Sequence, residues 1–348
     1  MRKFFTLRSA VPRAVATLVV RTAERRKQAR RKGSVRCLSI TRAVAADLAS
    51  AAISLKFITL STLLALIIAG CNSGTSTTAT SRTATPASGT NTATPVTLPH
   101  FDHIVIAIEE NHGYSQIIGS NSAPYINSLA SQGASFTDSH AIQHPSEPNY
   151  LALFAGSNLG ITDDSCPINV SGPNLGGELI GKLKTFVGYS ESMPGVGFTG
   201  CTSSDRLYAR KHDPWVNFPD VPASANQPFT TFPSDFTKLP AVSFVVPNLQ
   251  NDMHDGSIKQ GDNWLKNHLD SYVQWAKTHN SLFILTWDED DGSNTNQITT
   301  IFLGTHVKTG QYSETINHYS VLSTVEDLYG LPYIHNASES AAIKDIWQ

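Results

Sequence analysis

A serine between two prolines, Ser146 in the stretch HPSEP (144–148), could act as a nucleophile. Pro148 suits the first turn of a helix, where its missing N–H leaves no hydrogen bond unmade. Ser146 would then lie just ahead of several unpaired backbone N–H groups, a favourable place for an anion such as a phosphoryl group. Two interpretations follow: Ser146 is a helix cap, or it is a nucleophile held where a phosphate binds.

Acidic, amide and imidazole side chains follow several apolar runs that have the pattern of strands. Ligands of open α/β sheets bind beyond the carboxyl ends of the strands, so we expect these side chains at one rim. Many carboxylates would repel each other there without a cation, and oxygen-rich sets with a few imidazoles suit divalent metals. Any one of them alone could be a helix cap, a solvated loop residue or a structural histidine; their combination indicates a site. They are Glu109, Glu110, Asn111 and His112; Asn248, Asp252, His254 and Asp255; Asp288, Glu289, Asp290 and Asp291; and His318 at the start of the last helix.

The elements that position these side chains alternate between apolar strands and helices. Near-continuous apolar strands between helical stretches predict an α/β fold with a mainly parallel sheet and helices on both faces. The stretch 158–240 is rich in Gly, Pro and Asn and is predicted to be a long insertion near the active face. Strands are predicted at 103–109, 134–140, 185–190, 241–248, 281–289 and 299–304, and helices at 123–132, 149–156, 261–279 and 318–330.

The first hundred residues have the composition of an export signal and a linker. Residues 1–56 contain 14 of the 26 Lys and Arg, and a short apolar run from 57 to 70 suits a signal-peptide core. The sequence IAGC at 68–71 resembles a bacterial lipobox, in which the cysteine, here Cys71, takes a lipid; a signal anchor is the alternative. Residues 71–98 are a Thr/Ser/Pro-rich linker that cannot build a core. We therefore predict a basic N-terminal segment with a lipoprotein signal peptide (1–70), a lipid-anchored linker (71–98) and a single folded domain (99–348).

Charge and cysteine usage also point to an exported protein. From residue 71 onward the chain has 12 Lys and Arg against 26 Asp and Glu, a net charge of −14. Such an acidic chain argues against nucleic acid as a partner. Cys166 and Cys201 are the two cysteines left in the folded part. In an oxidising compartment we expect them to form a disulfide, with two free thiols as the alternative.

Six stretches, in order, resemble the phosphoesterase family that contains secreted acid phosphatases and bacterial phospholipases C, within the alkaline phosphatase superfamily. Parts of two of these stretches, RKHDPW and NDMHDG, are closer to the acid phosphatase branch. The resemblance implies an alkaline-phosphatase-like fold for 99–348. The six stretches are IVIAIEENHGY, HPSEPNYLALFAGS, YARKHDPWVNF, PNLQNDMHDGS with GDNWL, LTWDEDDG and NHYSVLSTVEDLYGL.

The resemblance also implies roles for individual residues. In the wider superfamily a second metal is held by Asp-x-x-x-His, whereas the comparable stretch here is Asn248-x-x-x-Asp252, so one metal is expected rather than two. Ser146 matches the nucleophile, which is also a metal ligand. The other implied metal ligands are Glu110, Asn111, Asp288 and Glu289; His254 and His318 are candidate acids for the leaving group, and His212, Asn248 and Asp252 are implied to lie by the phosphoryl group.

The sequence therefore predicts an exported, lipid-anchored phosphoric ester hydrolase that acts on small phosphate monoesters with a divalent metal and a phosphoserine intermediate. A bound cation would stabilise the serine alkoxide, which is a poor nucleophile otherwise. A phospholipase C-like phosphodiesterase is the alternative enzyme. A non-catalytic surface lipoprotein that binds a phosphorylated ligand is the alternative from another class. Sulfatase chemistry is disfavoured because a serine, not a cysteine, occupies position 146.

Overall fold

The structure is a computed structural model that describes residues 98–348. The predicted signal segment, the lipidated Cys71 and the linker up to residue 97 lie outside this range, so these predictions stand untested. The described strands are β1 (His103–Glu109), β2 (Ala134–His140), β3 (Phe186–Ser190), β4 (Asn226–Pro228), β5 (Val242–Val246), β6 (Ser281–Trp287), β7 (Gln297–Gly304), β8 (Gly310–Tyr312) and β9 (Ile316–Asn317).

The helices alternate with these strands, as the sequence predicts for an α/β fold. Short 3₁₀ turns, among them Arg210–His212 and Pro214–Asn217, lie in the long segment before β5. The α-helices are α1 (Tyr114–Ile117), α2 (Pro124–Gln132), α3 (Ser146–Ala155), α4 (Leu175–Gly181), α5 (Ile258–Ala276) and α6 (His318–Tyr329).

All nine strands form one mixed sheet in the order β4-β3-β5-β1-β6-β7-β2-β8, with β9 paired to β2. β1 lies in the centre, parallel to β5 on one side and to β6 on the other. β7 is antiparallel to both β6 and β2. The prediction of a mainly parallel sheet is confirmed, with β7 as the reversed strand.

Helices cover both faces of the sheet. Side chains of a strand alternate between faces, and on β1 Ile104 belongs to one core while Val105 belongs to the other. The first core contains residues of α3, α4 and α6, and the second contains residues of α2 and α5. Each strand end at the rim is therefore held between two packed layers.

Element ends differ from the prediction by a few residues. α3 begins at Ser146 instead of 149, and α5 covers 258–276 instead of 261–279. β5 and β6 end two residues earlier than expected, at Val246 and Trp287. The sequence pattern missed α1, α4, β4, β8 and β9 because each has at most seven residues, too few to show a period.

The stretch 158–240 is an insertion only in part. It contributes β3 and β4 to the sheet edge, while the loops around them contain the Cys pair. The predicted disulfide between Cys166 and Cys201 is present and closes a 35-residue separation. No helix within residues 98–348 is both long and apolar enough to cross a membrane.

Candidate active site

The polar residues predicted at the strand ends meet at one edge of the sheet. Glu110 follows β1 directly, and its backbone N–H donates to the carbonyl of Asp252 in the loop after β5. The backbone N–H of Asp288, just past β6, donates to the carbonyl of Glu109. The carboxyl ends of three adjacent parallel strands thus hold their loops against each other.

Ser146 is the first residue of α3, and Pro145 occupies the N-cap position without a side-chain cap. The Ser146 Oγ donates to Oε2 of Glu110 at 3.1 Å and lies 3.3 Å from Oε1 of Glu289. The serine is buried. The helix-cap interpretation is therefore wrong, and Ser146 lies inside the first turn instead of ahead of it.

Buried carboxylates surround this serine. Burial raises the pKa of Glu110 well above its usual value, and the carboxylates of Asp288 and Asp252 raise it further. Burial and the neighbouring Glu289 raise the pKa of Asp288 to about 7. Asp288 Oδ2 and Asp252 Oδ2 are buried and have no hydrogen-bond partner among the described residues. Mutual repulsion of this kind is relieved by a divalent cation, and carboxylate oxygens are ligands that such cations prefer.

Imidazoles add to this donor set. Glu110, His212 and His254 each place one possible ligand atom within 4.8 Å of the others. His212 Nε2 lies 3.0 Å from Oε1 of Glu110 without hydrogen-bond geometry, and its Nδ1 lies 3.5 Å from Oδ2 of Asp252. Burial lowers the pKa of His212 well below its usual value, so its ring is neutral. The residues present therefore fit a divalent metal.

His254 and His318 differ in their surroundings. His254 is half-buried, and its Nδ1 lies 2.9 Å from Oδ1 of Asp255. His318 is buried, and its Nε2 lies 2.7 Å from the carbonyl oxygen of Asp288, to which only a protonated nitrogen can bond. Burial lowers the pKa of His318 to about 4. The His318 ring is thus neutral, and its Nε2–H donates to the loop that follows β6.

The two asparagines of the predicted site have different positions. Asn111 adopts a left-handed backbone conformation (φ 55°), and its N–H donates to Oδ1 of Asp288 at 3.2 Å. Asn248 Oδ1 accepts from the N–H groups of Gln250 and Asn251, and its amide donates to Ser192 Oγ. Asn248 therefore stabilises its own turn, whereas Asn111 joins the carboxylate cluster.

Two contacts of the site were missed from the sequence. Tyr150 donates its hydroxyl to Oε1 of Glu110 at 2.6 Å and stacks on His212 with ring centroids 5.0 Å apart. His144 Nδ1 lies 2.6 Å from Oε2 of Glu289. Tyr150 is four residues after Ser146, so the i, i+4 spacing of one helix face was the available signal.

Lys211 brings a positive charge to this acidic site. Its Nζ donates to Oδ2 of Asp164 at 2.7 Å and lies 3.4 Å from Nε2 of His254. Burial lowers the pKa of Lys211, but the carboxylates of Glu110 and Asp164 more than offset this and raise it. Lys211 is therefore fully protonated.

Comparisons with known proteins identify a family and several relatives of this chain. The family model described as Phosphoesterase family matches residues 119–332. A phosphatidylinositol-3-phosphatase of Mycobacterium tuberculosis is 55% identical over 253 residues, which cover 72% of this chain and 84% of the relative. An acid phosphatase of Aspergillus fumigatus is 34% identical over 239 residues, which cover 63% of this chain and 53% of that enzyme. The chain thus spans about half the length of this fungal relative.

A solved structure shows the same fold at low sequence identity. It is a protein of the alkaline phosphatase superfamily from Vibrio parahaemolyticus, with a TM-score of 0.50 and 12% identity. The match covers 71% of this chain and 72% of that one. The α/β architecture described above is therefore shared with this solved structure.

Proposed function

Since the chain belongs to the phosphoesterase family, we propose that it hydrolyses phosphate monoesters with Ser146 as the nucleophile. The reaction class, hydrolysis of a phosphoric ester, follows from the family and from relatives that are named phosphatases. The observation that carries the finer proposal is the position of Ser146. Its hydroxyl lies at a helix N-terminus, buried, and bonded to a carboxylate that can take its proton.

The steps that the chain's own residues perform follow from this geometry. Ser146 Oγ attacks phosphorus, and its proton passes to Glu110 at 3.1 Å or to Glu289 at 3.3 Å. The ester P–O bond breaks, and the alcohol leaves with a proton. Water then cleaves the phosphoserine and regenerates Ser146, with inorganic phosphate as the second product.

We assign the proton of the leaving alcohol to His254 in preference to His318. The His254 ring is half-buried, so a substrate can reach it, and Asp255 orients it through Nδ1. The His318 ring is buried, and its Nε2–H is occupied by the carbonyl of Asp288. His318 is thus proposed as a positioning residue for the β6 loop. His212 and Asp252 support Glu110 from the other side.

A divalent cation would be held by Glu110, Asp288 and Glu289, together with Asn111 and Ser146. When bound, the cation supplies positive charge that lowers the pKa of the serine hydroxyl and offsets charge on the phosphoryl oxygens. The raised pKa values of the buried carboxylates support this assignment. We retain the proposal of one metal, because Asn248 is engaged in its own turn.

The substrate class follows from the similarity to the mycobacterial enzyme. A phosphatidylinositol 3-phosphate headgroup is a phosphate monoester, and we propose such sugar-alcohol monophosphates as substrates. A phosphodiester, as in phospholipase C chemistry, is the competing substrate. The disulfide favours a location outside the cytoplasm, and we propose the lipid on Cys71 as the anchor there.

The test compares p-nitrophenyl phosphate with bis(p-nitrophenyl) phosphate on the full chain reloaded with metal after chelation. We expect turnover of the monoester, and Ser146→Ala should lower kcat by about 10³-fold or more. Ser157→Ala, just beyond the other end of α3, is the matched control and should retain activity. Diester turnover alone would support the phosphodiesterase. No turnover of either ester by folded, reloaded protein would support a binding protein.

A further inference from the structure

The ammonium group of Lys211 lies at the site and bonds to a carboxylate of the protein, that of Asp164. Lys211 lies beside Arg210, but the two side chains differ in their bonds. The Arg210 guanidinium donates to the carbonyls of Thr199 and Ile168 and to the side chain of Asn217. It is therefore occupied in stabilising the loop, whereas Lys211 Nζ bonds to the carboxylate of Asp164.

Asp164 uses both of its oxygens. Oδ2 accepts from Lys211 Nζ at 2.7 Å, and Oδ1 accepts from the backbone N–H of Glu147 at 2.9 Å. Glu147 directly follows Ser146, so this N–H belongs to the first turn of α3. One carboxylate thus bridges an ammonium and a helix-terminal N–H next to the nucleophile, as two oxygens of a phosphoryl group would.

The bond from the Glu147 N–H holds Asp164 beside the carboxylates that surround Ser146. Asp164 is half-buried, on the loop that leads to the disulfide at Cys166. A carboxylate next to other carboxylates adds repulsion. Its departure would therefore remove repulsion at the same time as it frees two donors.

We propose that Lys211 binds a non-bridging oxygen of the substrate phosphoryl group, and that Asp164 occupies this position until the substrate displaces it. The inference rests on the proposed function, because it names the cation that recognises the phosphate of that reaction. A monoester has more negative charge than a diester and exchanges for the carboxylate more readily. Lys211 and Asp164 would thus contribute to selectivity for monoesters.

The experiment measures binding of inorganic phosphate to the full, metal-reloaded chain by calorimetry, together with its inhibition constant. Asp164→Ala frees both donors, and we expect phosphate to bind about tenfold more tightly, the effect of one charge-assisted hydrogen bond. Asp164→Asn keeps an acceptor for Glu147 but loses the charge, so its affinity should lie between wild type and Asp164→Ala. Asp163→Asn removes the same charge one residue away, where no contact with Lys211 exists, and should leave the affinity unchanged.

Variants of Lys211 test the other half of the proposal. Lys211→Met should weaken phosphate binding about tenfold or more, raise KM more than it lowers kcat, and be rescued in part by Lys211→Arg. Unchanged or weaker phosphate binding in the folded Asp164 variants would overturn the displacement. Unchanged binding in Lys211→Met would overturn the role of the cation. Because calorimetry does not need turnover, these outcomes are separate from a failure of the proposed hydrolysis.

Discussion

A buried carboxyl group on α6, the helix that begins with His318, gives a prediction that is independent of the reaction. Glu326 is fully buried; its Oε1 accepts from the N–H of Ile334 at 3.1 Å, and its Oε2 has no partner among the described residues. Burial raises the pKa of Glu326 from its ordinary 4.5 to about 8. The nearby carboxylates of Glu178 and Asp327 contribute to the rise.

Because the pKa of Glu326 is raised in the folded protein, the free energy of unfolding should fall as the pH rises. Between pH 4.5 and 8 the folded protein keeps a proton on Glu326 that the unfolded chain has lost. Stability from the neutral form is therefore fully present below pH 4.5 and is lost as the pH rises through about 8. The raised pKa corresponds to a loss of about 2–5 kcal/mol in the free energy of unfolding by pH 9.

The substitution Glu326→Gln should prevent this loss of stability at high pH. The amide oxygen can still accept from Ile334, and the side chain keeps its size, but no charge forms at high pH. The variant should match the wild type near pH 5 and exceed its free energy of unfolding by about 2–5 kcal/mol at pH 9. Urea unfolding followed by tryptophan fluorescence at pH 5, 7 and 9 measures the difference.

Glu339→Gln is the matched control, because it makes the same substitution at an exposed position. Its difference from the wild type should not vary with pH. A Glu326→Gln variant whose advantage is the same at pH 5 and pH 9 would refute the reasoning, since the effect could then not come from ionisation.

Three further changes test the supports of the site. Tyr150→Phe keeps the ring beside His212 but removes the bond to Glu110, and kcat/KM on p-nitrophenyl phosphate should fall about 10–100-fold. Reduction of the Cys166–Cys201 bridge opens a 35-residue separation and should lower the free energy of unfolding by about 4 kcal/mol, measured in urea with and without dithiothreitol. Gly188→Ala would place a Cβ 2.1 Å from the indole of Trp215, and calorimetric unfolding should show a loss of about 1–3 kcal/mol or more.

The sequence could predict the long strands and the rim residues because each has a strong local signal. β1 and β2 agree with the prediction residue for residue, and in β1 the apolar run IVIAI is bounded by His103 and Glu109. Short elements such as β8 lack such a signal. Gly-rich α4 (LGGELIG) has low helix propensity and forms because Gly176 allows close packing against Phe154 and Val221.

The contacts that the sequence could not supply are those between distant segments. Asp164 and Lys211 are 47 residues apart, and both lie in a stretch without periodicity, so nothing local indicates that they pair. Tyr150 resembles an ordinary core residue within NYLALFA, and only its closeness to Glu110 shows another role. Asn248 differs in the opposite way. It lies in one of the stretches that resemble the family, but its side chain accepts hydrogen bonds within its own turn.

The charges of the site explain why these particular elements meet. Helix N-termini contribute about half a positive charge each, and both α3 and α6 begin at this rim, with Ser146 and His318 as their first residues. Lys211 and Asp164 cancel each other. Against the two helices stand the buried carboxylates of Glu110, Asp252, Asp288 and Glu289. If all four carboxylates ionise, roughly three negative charges are left after the two helix N-termini are counted. A divalent cation can neutralise most of this charge. The phosphate would then be bound by Lys211 and the helix N–H groups.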